Sequence, residues 1–199
     1  MVINWYGEGS FKIQSGGLTI LTDPFDSSTG LTPPRFKSDI VLTSGAPEPY
    51  TSSKMLEGQH IFGPGEYEVQ GIEVNGFPAA GGAIYIVKTE EMKLGFLGQL
   101  SSLDLSPDAM TALRGIDILF IPIGGAPYLD SPSATKLIKQ LEPKIVIPAF
   151  YKILGLKRAA TGIEDFIKTF GQKSEPQEKL TIKAKDINWE GTKLIILTI

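Results

Sequence analysis

Imidazole and thiolate chemistry is almost absent from this chain, which contains one histidine and no cysteine. Zinc in proteins is held by imidazole, thiolate or carboxylate groups, as four protein ligands or as three and a water. The chain therefore cannot build a histidine-based zinc centre by itself. The lack of cysteine also excludes disulfides, a thiolate nucleophile and a thiol redox switch. Carboxylates and hydroxyls remain as candidates for chemistry.

The single histidine and two serines are the first candidates. His60 precedes the short apolar segment Ile61-Phe62, and we interpret it as a structural residue rather than a base or a ligand. Ser10 and Ser44 suggest a nucleophile, but a nucleophilic serine needs an adjacent base. No Gly-x-Ser-x-Gly motif is present, and no motif makes His60 that base. A serine hydrolase is therefore not favoured.

Composition indicates a soluble globular protein, with 42% hydrophobic and 21% charged residues. The net charge of −3 and the lack of a basic run argue against nucleic acid as a partner. The longest basic cluster, Lys157-Arg158, is interpreted as a solvated loop. The amino terminus does not resemble a signal peptide, and no apolar run reaches the roughly 20 residues of a membrane helix. We expect a cytoplasmic protein that does not bind membranes.

The elements that must position any site change in type along the chain. The first half has short strand patterns separated by glycine and proline, at 2–6, 10–14, 18–22, 39–43, 66–69, 72–77, 83–88 and 93–97. The second half alternates helix and strand. Its continuous apolar runs at 116–121 and 144–147 are typical of strands covered on both faces. A last strand is predicted at 193–199, where it could form an edge that pairs with another chain.

Three helices have start signals. Ser106-Pro107 and Ser131-Pro132 each provide an N-cap and a first-turn proline. The stretch from Thr161 to Glu164 matches a capping box, and Gly171 stands where that helix should end. Together the patterns predict one α/β (α+β) domain over residues 1–199, with two packed sheets and helices outside.

A series of local motifs adds a family resemblance. In chain order they are Gly7-Glu8-Gly9-Ser10-Phe11, Leu21-Thr22-Asp23-Pro24-Phe25, Ser38-Asp39-Ile40-Val41-Leu42-Thr43-Ser44, Gly63-Pro64-Gly65-Glu66-Tyr67-Glu68-Val69, Leu97-Gly98-Gln99-Leu100, Ile121-Pro122-Ile123-Gly124-Gly125 and Ile147-Pro148-Ala149-Phe150-Tyr151. This order and spacing resemble the metallo-β-lactamase fold superfamily. The likeness is greatest to its small single-domain metal-dependent hydrolases related to L-ascorbate-6-phosphate lactonases. The resemblance implies a four-layer αββα sandwich with the site at one edge between the sheets.

The ligand positions implied by the resemblance have changed. The family motif His-x-His-x-Asp-His corresponds here to Ser44, Ala46, Glu48 and Pro49. The other ligand positions correspond to Glu8 (an early histidine), Gln99 (a bridging aspartate) and Phe150 (a late histidine before Tyr151). Alanine, proline and phenylalanine offer no side-chain donor, and Gln99 has no charge. Without metal ions there is no Lewis acid and no activated hydroxide of the family's kind.

From these substitutions we predict a pseudoenzyme without zinc, which acts by binding or assembly. Relatives in the family often form oligomers, so a homo-oligomer is the expected assembly by analogy. Two other hypotheses stay open. Glu8, Glu48 and Asp23 could form a rebuilt site for a hydrolase, holding Mg²⁺ or Ca²⁺ or acting as acid and base. Alternatively, the emptied cleft, lined by aromatic residues such as Phe150 and Tyr151, could sense a small ligand that the sequence does not identify.

The carboxylate hypothesis has a simpler competitor. Glu8 and Glu48 could be exposed loop residues, and Asp23, before Pro24, could be a hydrogen-bonding turn residue. We favour this simpler interpretation from sequence.

Overall fold

Two mixed β-sheets form the centre of the fold in a computed structural model that describes residues 1–45 and 57–199. The six-stranded sheet has the order β12-β1-β2-β3-β4-β5. Its strands are β1 (Val2–Gly7), β2 (Ser10–Ser15), β3 (Leu18–Thr22), β4 (Ile40–Thr43), β5 (Gln59–Phe62) and β12 (Lys179–Thr181). The pairs β3–β4 and β4–β5 are parallel, and the other pairs are antiparallel.

The seven-stranded sheet has the order β13-β11-β10-β9-β8-β7-β6. Its strands are β6 (Gly65–Val69), β7 (Ile72–Ala79), β8 (Gly82–Thr89), β9 (Met92–Phe96), β10 (Ile118–Pro122), β11 (Ile145–Ala149) and β13 (Lys193–Leu194). The four strands β9, β10, β11 and β13 are parallel, and β6 to β9 form an antiparallel meander. Every residue of β10 and β11 is buried, as predicted for strands covered on both faces.

Three helices follow strands of the second sheet: α1 (Pro107–Ala112), α2 (Ser131–Leu141) and α3 (Ile163–Phe170). The side chain of Ser106 caps α1 as predicted, by accepting a hydrogen bond from the Ala109 N–H. The N-cap of α2 is Asp130 rather than Ser131. The predicted capping box of α3 is wrong, because Gly162 is the N-cap and no side chain caps the helix. Gly171 ends α3 in the left-handed conformation, as expected.

The hydrophobic core lies between the sheets and beneath the helices. Phe11 of the first sheet contacts Phe120 of the second, with ring centroids 4.7 Å apart, and Phe120 stacks on Phe96 at 4.4 Å. The helices contribute the buried side chains of Ala109, Leu137 and Phe166. This arrangement matches the predicted αββα-type sandwich.

Three edge elements differ from the prediction. Strands β5 and β12 were not predicted, because each is short and has mainly polar or exposed residues at its ends. The predicted last strand, 193–199, is a strand only at Lys193–Leu194, and beyond it Leu197 makes an isolated bridge to Gln177.

Within the described ranges, no helix is long and apolar enough to cross a membrane.

Candidate active site

Five of the sequence-predicted positions come together at the carboxyl ends of parallel strands. Asp23 directly follows β3, and Ser44 directly follows its parallel neighbour β4. In the facing sheet, Gln99 follows β9 and Phe150 follows β11. The turn between β1 and β2 adds Glu8 from the side. Side chains after parallel strands meet at one edge of a sheet, which is where ligands bind in many α/β proteins.

Asp23 and Ser44 form the tightest polar contact of the site. The Ser44 backbone N–H donates to Asp23 Oδ1 and the Ser44 hydroxyl donates to Oδ2, each over 2.7 Å. The backbone N–H of Gln99 donates in turn to Ser44 Oγ over 3.1 Å. The Asp23 backbone N–H also donates to the Leu42 carbonyl over 2.8 Å. The Asp23 carboxyl group is therefore held in one orientation by groups from both sheets.

Burial raises the pKa of Asp23 to about 6, although the two hydrogen bonds from Ser44 act in the opposite direction. Desolvation disfavours the charged carboxylate, whereas donors that point at it favour the charged form. A carboxyl group with a pKa near neutrality can both accept and return a proton at physiological pH. Asp23 is thus hydrogen-bonded, as expected for the residue before Pro24, and its carboxyl group is also buried.

Glu8 is buried, and the interpretation of this residue as an exposed loop carboxylate was wrong. Its two carboxylate oxygens accept hydrogen bonds from Arg158 Nε at 3.1 Å and Nη2 at 2.8 Å. The interpretation of Lys157-Arg158 as a solvated loop was wrong for Arg158, whose side chain is only 21% exposed. The pairing joins residues 150 positions apart in the sequence. No sequence motif indicated it.

Three site residues adopt a left-handed backbone. Glu8 has a φ of 48°, Asp23 of 35° and Phe150 of 59°. Such angles disfavour residues with a β-carbon, and they persist only where the surroundings impose them. Glu8 and Phe150 are joined by a backbone hydrogen bond, in which the Phe150 N–H donates to the Glu8 carbonyl over 3.1 Å. The backbone of the candidate site is thus constrained at three positions.

Glycines allow the site residues to approach one another. A β-carbon at Gly98 would lie 2.1 Å from both Cβ and Oγ of Ser44. A β-carbon at Gly9 would lie 2.4 Å from the Phe150 ring and 2.9 Å from Asp23 Oδ2. The absence of a β-carbon at Gly9 therefore leaves room for both the Phe150 ring and the Asp23 carboxylate.

Two spaces adjoin Asp23. A cleft of about 270 Å³ is lined by several charged and aromatic side chains, among them Glu8, Asp23, Asp26, Gln99, Tyr128, Phe150, Lys157 and Arg158. Behind it, a cavity of about 10 Å³ is lined mainly by apolar residues, among them Phe11, Phe96, Phe120 and Phe150, with Asp23 on one side. That cavity has room for about one water molecule. Only the cleft is large enough for a small substrate.

The other predicted site residues lie elsewhere or outside the described ranges. Tyr151 turns into the core, stacks on Trp5 with centroids 4.8 Å apart, and donates its hydroxyl hydrogen to the Leu197 carbonyl over 3.2 Å. It does not line the cleft. Ala46, Glu48 and Pro49 fall within 46–56 and are not described. His60 lies in β5, away from the residues that line the cleft.

The donor set can be compared with the needs of a metal ion. At the matched positions that the structure describes, the side chains are Glu8, Ser44, Gln99 and Phe150, and Asp23 lies beside them. Glu8 already accepts two hydrogen bonds from a guanidinium, and Phe150 has no donor atom. Within 1–45 and 57–199, no three His, Cys, Asp or Glu side chains cluster as a metal site would require.

Comparison with known proteins connects this geometry to a family. A family model for the beta-lactamase superfamily domain matches residues 2–149. A UPF0173 metal-dependent hydrolase of Lysinibacillus sphaericus is 27% identical over 195 residues, which span 76% of this chain and 85% of that protein. A UPF0173 metal-dependent hydrolase of Methanopyrus kandleri is 24% identical over 194 residues, with 76% and 84% covered.

Solved structures confirm the predicted fold. A Thermotoga maritima protein, described as a zinc-dependent hydrolase of the metallo-beta-lactamase superfamily, is 27% identical with a TM-score of 0.85 over 100% of both chains. A metallo hydrolase of Ignicoccus hospitalis, 17% identical, shares the fold with a TM-score of 0.69 over 92% of this chain and 98% of that one.

These relatives contradict the prediction of a non-catalytic pseudoenzyme, because the two UPF0173 proteins are named metal-dependent hydrolases. They favour the alternative, a metal-dependent hydrolase, over a protein that acts only by binding, assembly or sensing. The prediction took the loss of the histidine ligands as evidence for the loss of hydrolysis, and it placed the hydrolase with a rebuilt carboxylate site second. Because the family model covers residues 2–149 of the 199-residue chain, the chain belongs to the beta-lactamase superfamily.

Proposed function

We propose that this chain is a hydrolase in which the Asp23 carboxylate acts as general base toward a water molecule in the cleft. The observation that supports the proposal most strongly is the buried Asp23 carboxyl, with a pKa of about 6, on the wall of a cleft about 270 Å³ in volume. Hydrolase relatives support the reaction class. The left-handed backbone at Asp23 supports a functional position.

The step follows from the hydrogen bonds of Asp23. Ser44 donates one hydrogen bond to each carboxylate oxygen of Asp23. The remaining lone pairs of these oxygens can accept a proton from water. The hydroxide so formed adds to the electrophilic carbon or phosphorus of the substrate. Protonated Asp23 then returns the proton to the leaving group. Ser44, which is buried and does not line the cleft, acts as a positioning residue rather than a nucleophile.

The described residues do not fit the metal centre that the fold family implies, so no step of this mechanism runs through a metal ion. Of the three carboxylates in the rebuilt-site hypothesis, Glu8 is held by Arg158, and Glu48 lies outside the described residues. Asp23 is the carboxylate that lies in the cleft without a cationic partner among its described contacts. The degenerate metal site therefore remains a proposal that metal analysis of the purified protein can test.

Lactones are the first substrates to assay, because the sequence resembles the L-ascorbate-6-phosphate lactonase branch. The cleft is near the lower end of the usual volumes of ligand pockets, which favours a small substrate. Simple carboxylic esters, phosphate monoesters and phosphate diesters complete a panel that covers carbon and phosphorus electrophiles. Assays are run with chelator and with added Zn²⁺ or Mg²⁺.

The test compares the wild type with Asp23→Asn between pH 4.5 and 9. We expect wild-type kcat/KM to rise with pH through about 6, because the base must be ionised. Asp23→Asn should lower kcat by roughly 100-fold or more, as expected for loss of a general base. The matched control is Asp104→Asn, an exposed aspartate outside the cleft. Turnover that survives in Asp23→Asn with an unchanged pH profile would contradict the proposal, as would a panel without any Asp23-dependent turnover.

A further inference from the structure

The guanidinium of Arg158 has partners on nearly every side. Beyond its two hydrogen bonds to Glu8, Nη2 donates to the Phe150 carbonyl, and Nη1 donates to the Ala159 carbonyl over 3.1 Å. The Tyr128 ring lies beneath it, with the guanidinium carbon 4.9 Å from the ring centroid. Such a planar fork is the usual way in which proteins recognise a carboxylate with two parallel bonds.

The two residues that Arg158 joins both stand where the family resemblance implies a metal ligand. Family resemblance places an early histidine at Glu8 and a late histidine at Phe150. The structure brings these positions together at the end of β11 and at the turn after β1, where the Phe150 N–H also bonds the Glu8 carbonyl. The guanidinium therefore joins two segments of this chain. By the family resemblance, the corresponding segments of other members each carry a histidine that binds a metal ion.

Charge compensation explains why a cation is needed there. Glu8 is 8% exposed, and a buried carboxylate is very costly unless a cation or several donors accompany it. The Arg158 guanidinium supplies that cation and two of the hydrogen bonds. Each oxygen of Glu8 accepts one hydrogen bond from the guanidinium, whose positive charge would repel a divalent ion at the same carboxylate.

We propose that Arg158 is the built-in cation of this site: its guanidinium supplies the charge compensation and segment positioning that metal-dependent relatives would obtain from a metal ion. Arg158 is thus a positioning residue, and Glu8 is its partner rather than a metal ligand. The proposal does not rest on hydrolase activity, because stability and metal content test it directly.

The first test is a double-mutant cycle on thermal unfolding with Glu8→Gln, Arg158→Met and the double variant. Each single variant should lower Tm by roughly 5 °C or more, because it leaves one member of a buried ion pair without its partner. The double variant should lose clearly less than the sum of the single losses. Arg158→Lys, which keeps the charge without the fork, should recover part of the loss and provides the measurement if Arg158→Met does not fold.

The control cycle uses Glu73 and Lys88, an exposed pair of almost equal length (2.7 Å, against 2.8 Å for Glu8–Arg158). Its coupling should be near zero, because exposed ion pairs contribute little. Equal coupling in the two cycles, or additive losses for Glu8 and Arg158, would overturn the proposal.

The second test separates a cation role from simple packing. Methylguanidinium chloride at about 10–20 mM should raise the Tm of Arg158→Ala and leave the wild type unchanged or slightly destabilised. Elemental analysis of wild-type protein purified without chelators should find no stoichiometric metal. Failure of methylguanidinium to stabilise Arg158→Ala would overturn the proposal. So would a stoichiometric metal that is lost on Glu8→Gln, and either outcome leaves the Asp23 assay unaffected.

Discussion

Ser44 donates two hydrogen bonds to the carboxylate of Asp23, one from its backbone N–H and one from its hydroxyl, each 2.7 Å long. The two residues follow adjacent parallel strands, β3 and β4, so the sheet register sets their separation. The relationship has consequences for the pKa of Asp23, for the pH dependence of stability and for the space around Ser44.

Replacing Ser44 with alanine should raise the pKa of Asp23 further. The variant removes a hydroxyl donor that favours the charged form, while the backbone donor remains. We expect a rise of roughly one unit, since a charge-assisted hydrogen bond contributes about 1.5–3 kcal/mol and solvent or relaxation recovers part of it. Carboxyl ¹³C NMR titration measures the pKa directly. Ser28→Ala is the control, because Ser28 lines the same cleft without contacting Asp23; an unchanged or lowered pKa in Ser44→Ala would contradict the prediction.

Asp23 should make the folded protein less stable as pH rises. Its folded pKa of about 6 lies above the ordinary 3.8, so the native state binds more protons than the unfolded state between these values. The contribution of Asp23 to stability is therefore fully present below pH 4 and is lost as pH rises through about 6. Asp23→Asn, whose amide oxygen can still accept from Ser44, should be more stable than the wild type at pH 8 by about 3 kcal/mol.

Urea unfolding of both proteins at pH 4 and pH 8 measures this difference. The quantity to compare is the wild-type minus Asp23→Asn free energy, because other carboxyls titrate in the opposite sense. Asp26 and Asp130, for example, have pKa values lowered by hydrogen bonds from neighbouring serines. Asp104→Asn should show no such pH-dependent difference, and an Asp23→Asn variant less stable than the wild type at pH 8 would contradict the prediction.

A β-carbon at Gly98 should disrupt the contact that Ser44 makes with Asp23. It would lie 2.1 Å from Ser44 Oγ, and Gly98 has a φ of +48°. We expect Gly98→Ala to cost roughly 2–4 kcal/mol of unfolding free energy, from overpacking and backbone strain together. Gly115→Ala isolates the strain, because Gly115 has a φ of +67° with no atom near the added carbon, and it should cost about 1 kcal/mol. Chemical denaturation of the pair provides the measurement, and equal losses would refute the close approach.

Tyr151 should matter for stability and not for catalysis. Its hydroxyl bonds a core carbonyl, that of Leu197, and its ring stacks on Trp5 away from the cleft. Tyr151→Phe should therefore lower the unfolding free energy by about 1 kcal/mol, since it leaves one buried acceptor without its donor. The kcat/KM of any activity found should stay within about twofold of the wild type. A tenfold loss of kcat/KM in a folded Tyr151→Phe variant would contradict the prediction and show that the Tyr151 hydroxyl contributes to catalysis.

Local patterns were enough to predict most of the framework. Continuous apolar runs predicted β10 and β11, because burial on both faces imposes hydrophobicity on a strand. Short strand patterns separated by glycine and proline predicted β6 to β9. Edge elements such as β5 and β12 were missed, since a short strand at the rim of a sheet has few buried residues to reveal it. The N-caps of α2 and α3 were misplaced because several neighbouring polar residues could each cap a helix.

The positions of the site were also predictable in part. Glu8, Asp23, Ser44, Gln99 and Phe150 were all identified from family motifs, and they do assemble at one edge. The chemistry of these residues could not be predicted, because the sequence does not distinguish a solvated carboxylate from a buried one. The pKa of Asp23 depends on desolvation by neighbours from both sheets, and that is a property of packing alone.

By itself, the sequence determined that one histidine and no cysteine rule out a histidine-based zinc centre, because ligand atoms that are not in the chain cannot be supplied by folding. It also determined the central strands and the three helices, since these follow from local hydrophobic periodicity, but not the short edge strands. Only the tertiary structure decided which charges face each other. Arg158 reaches Glu8 across 150 residues, and the burial of that pair results from long-range packing that no local pattern encodes.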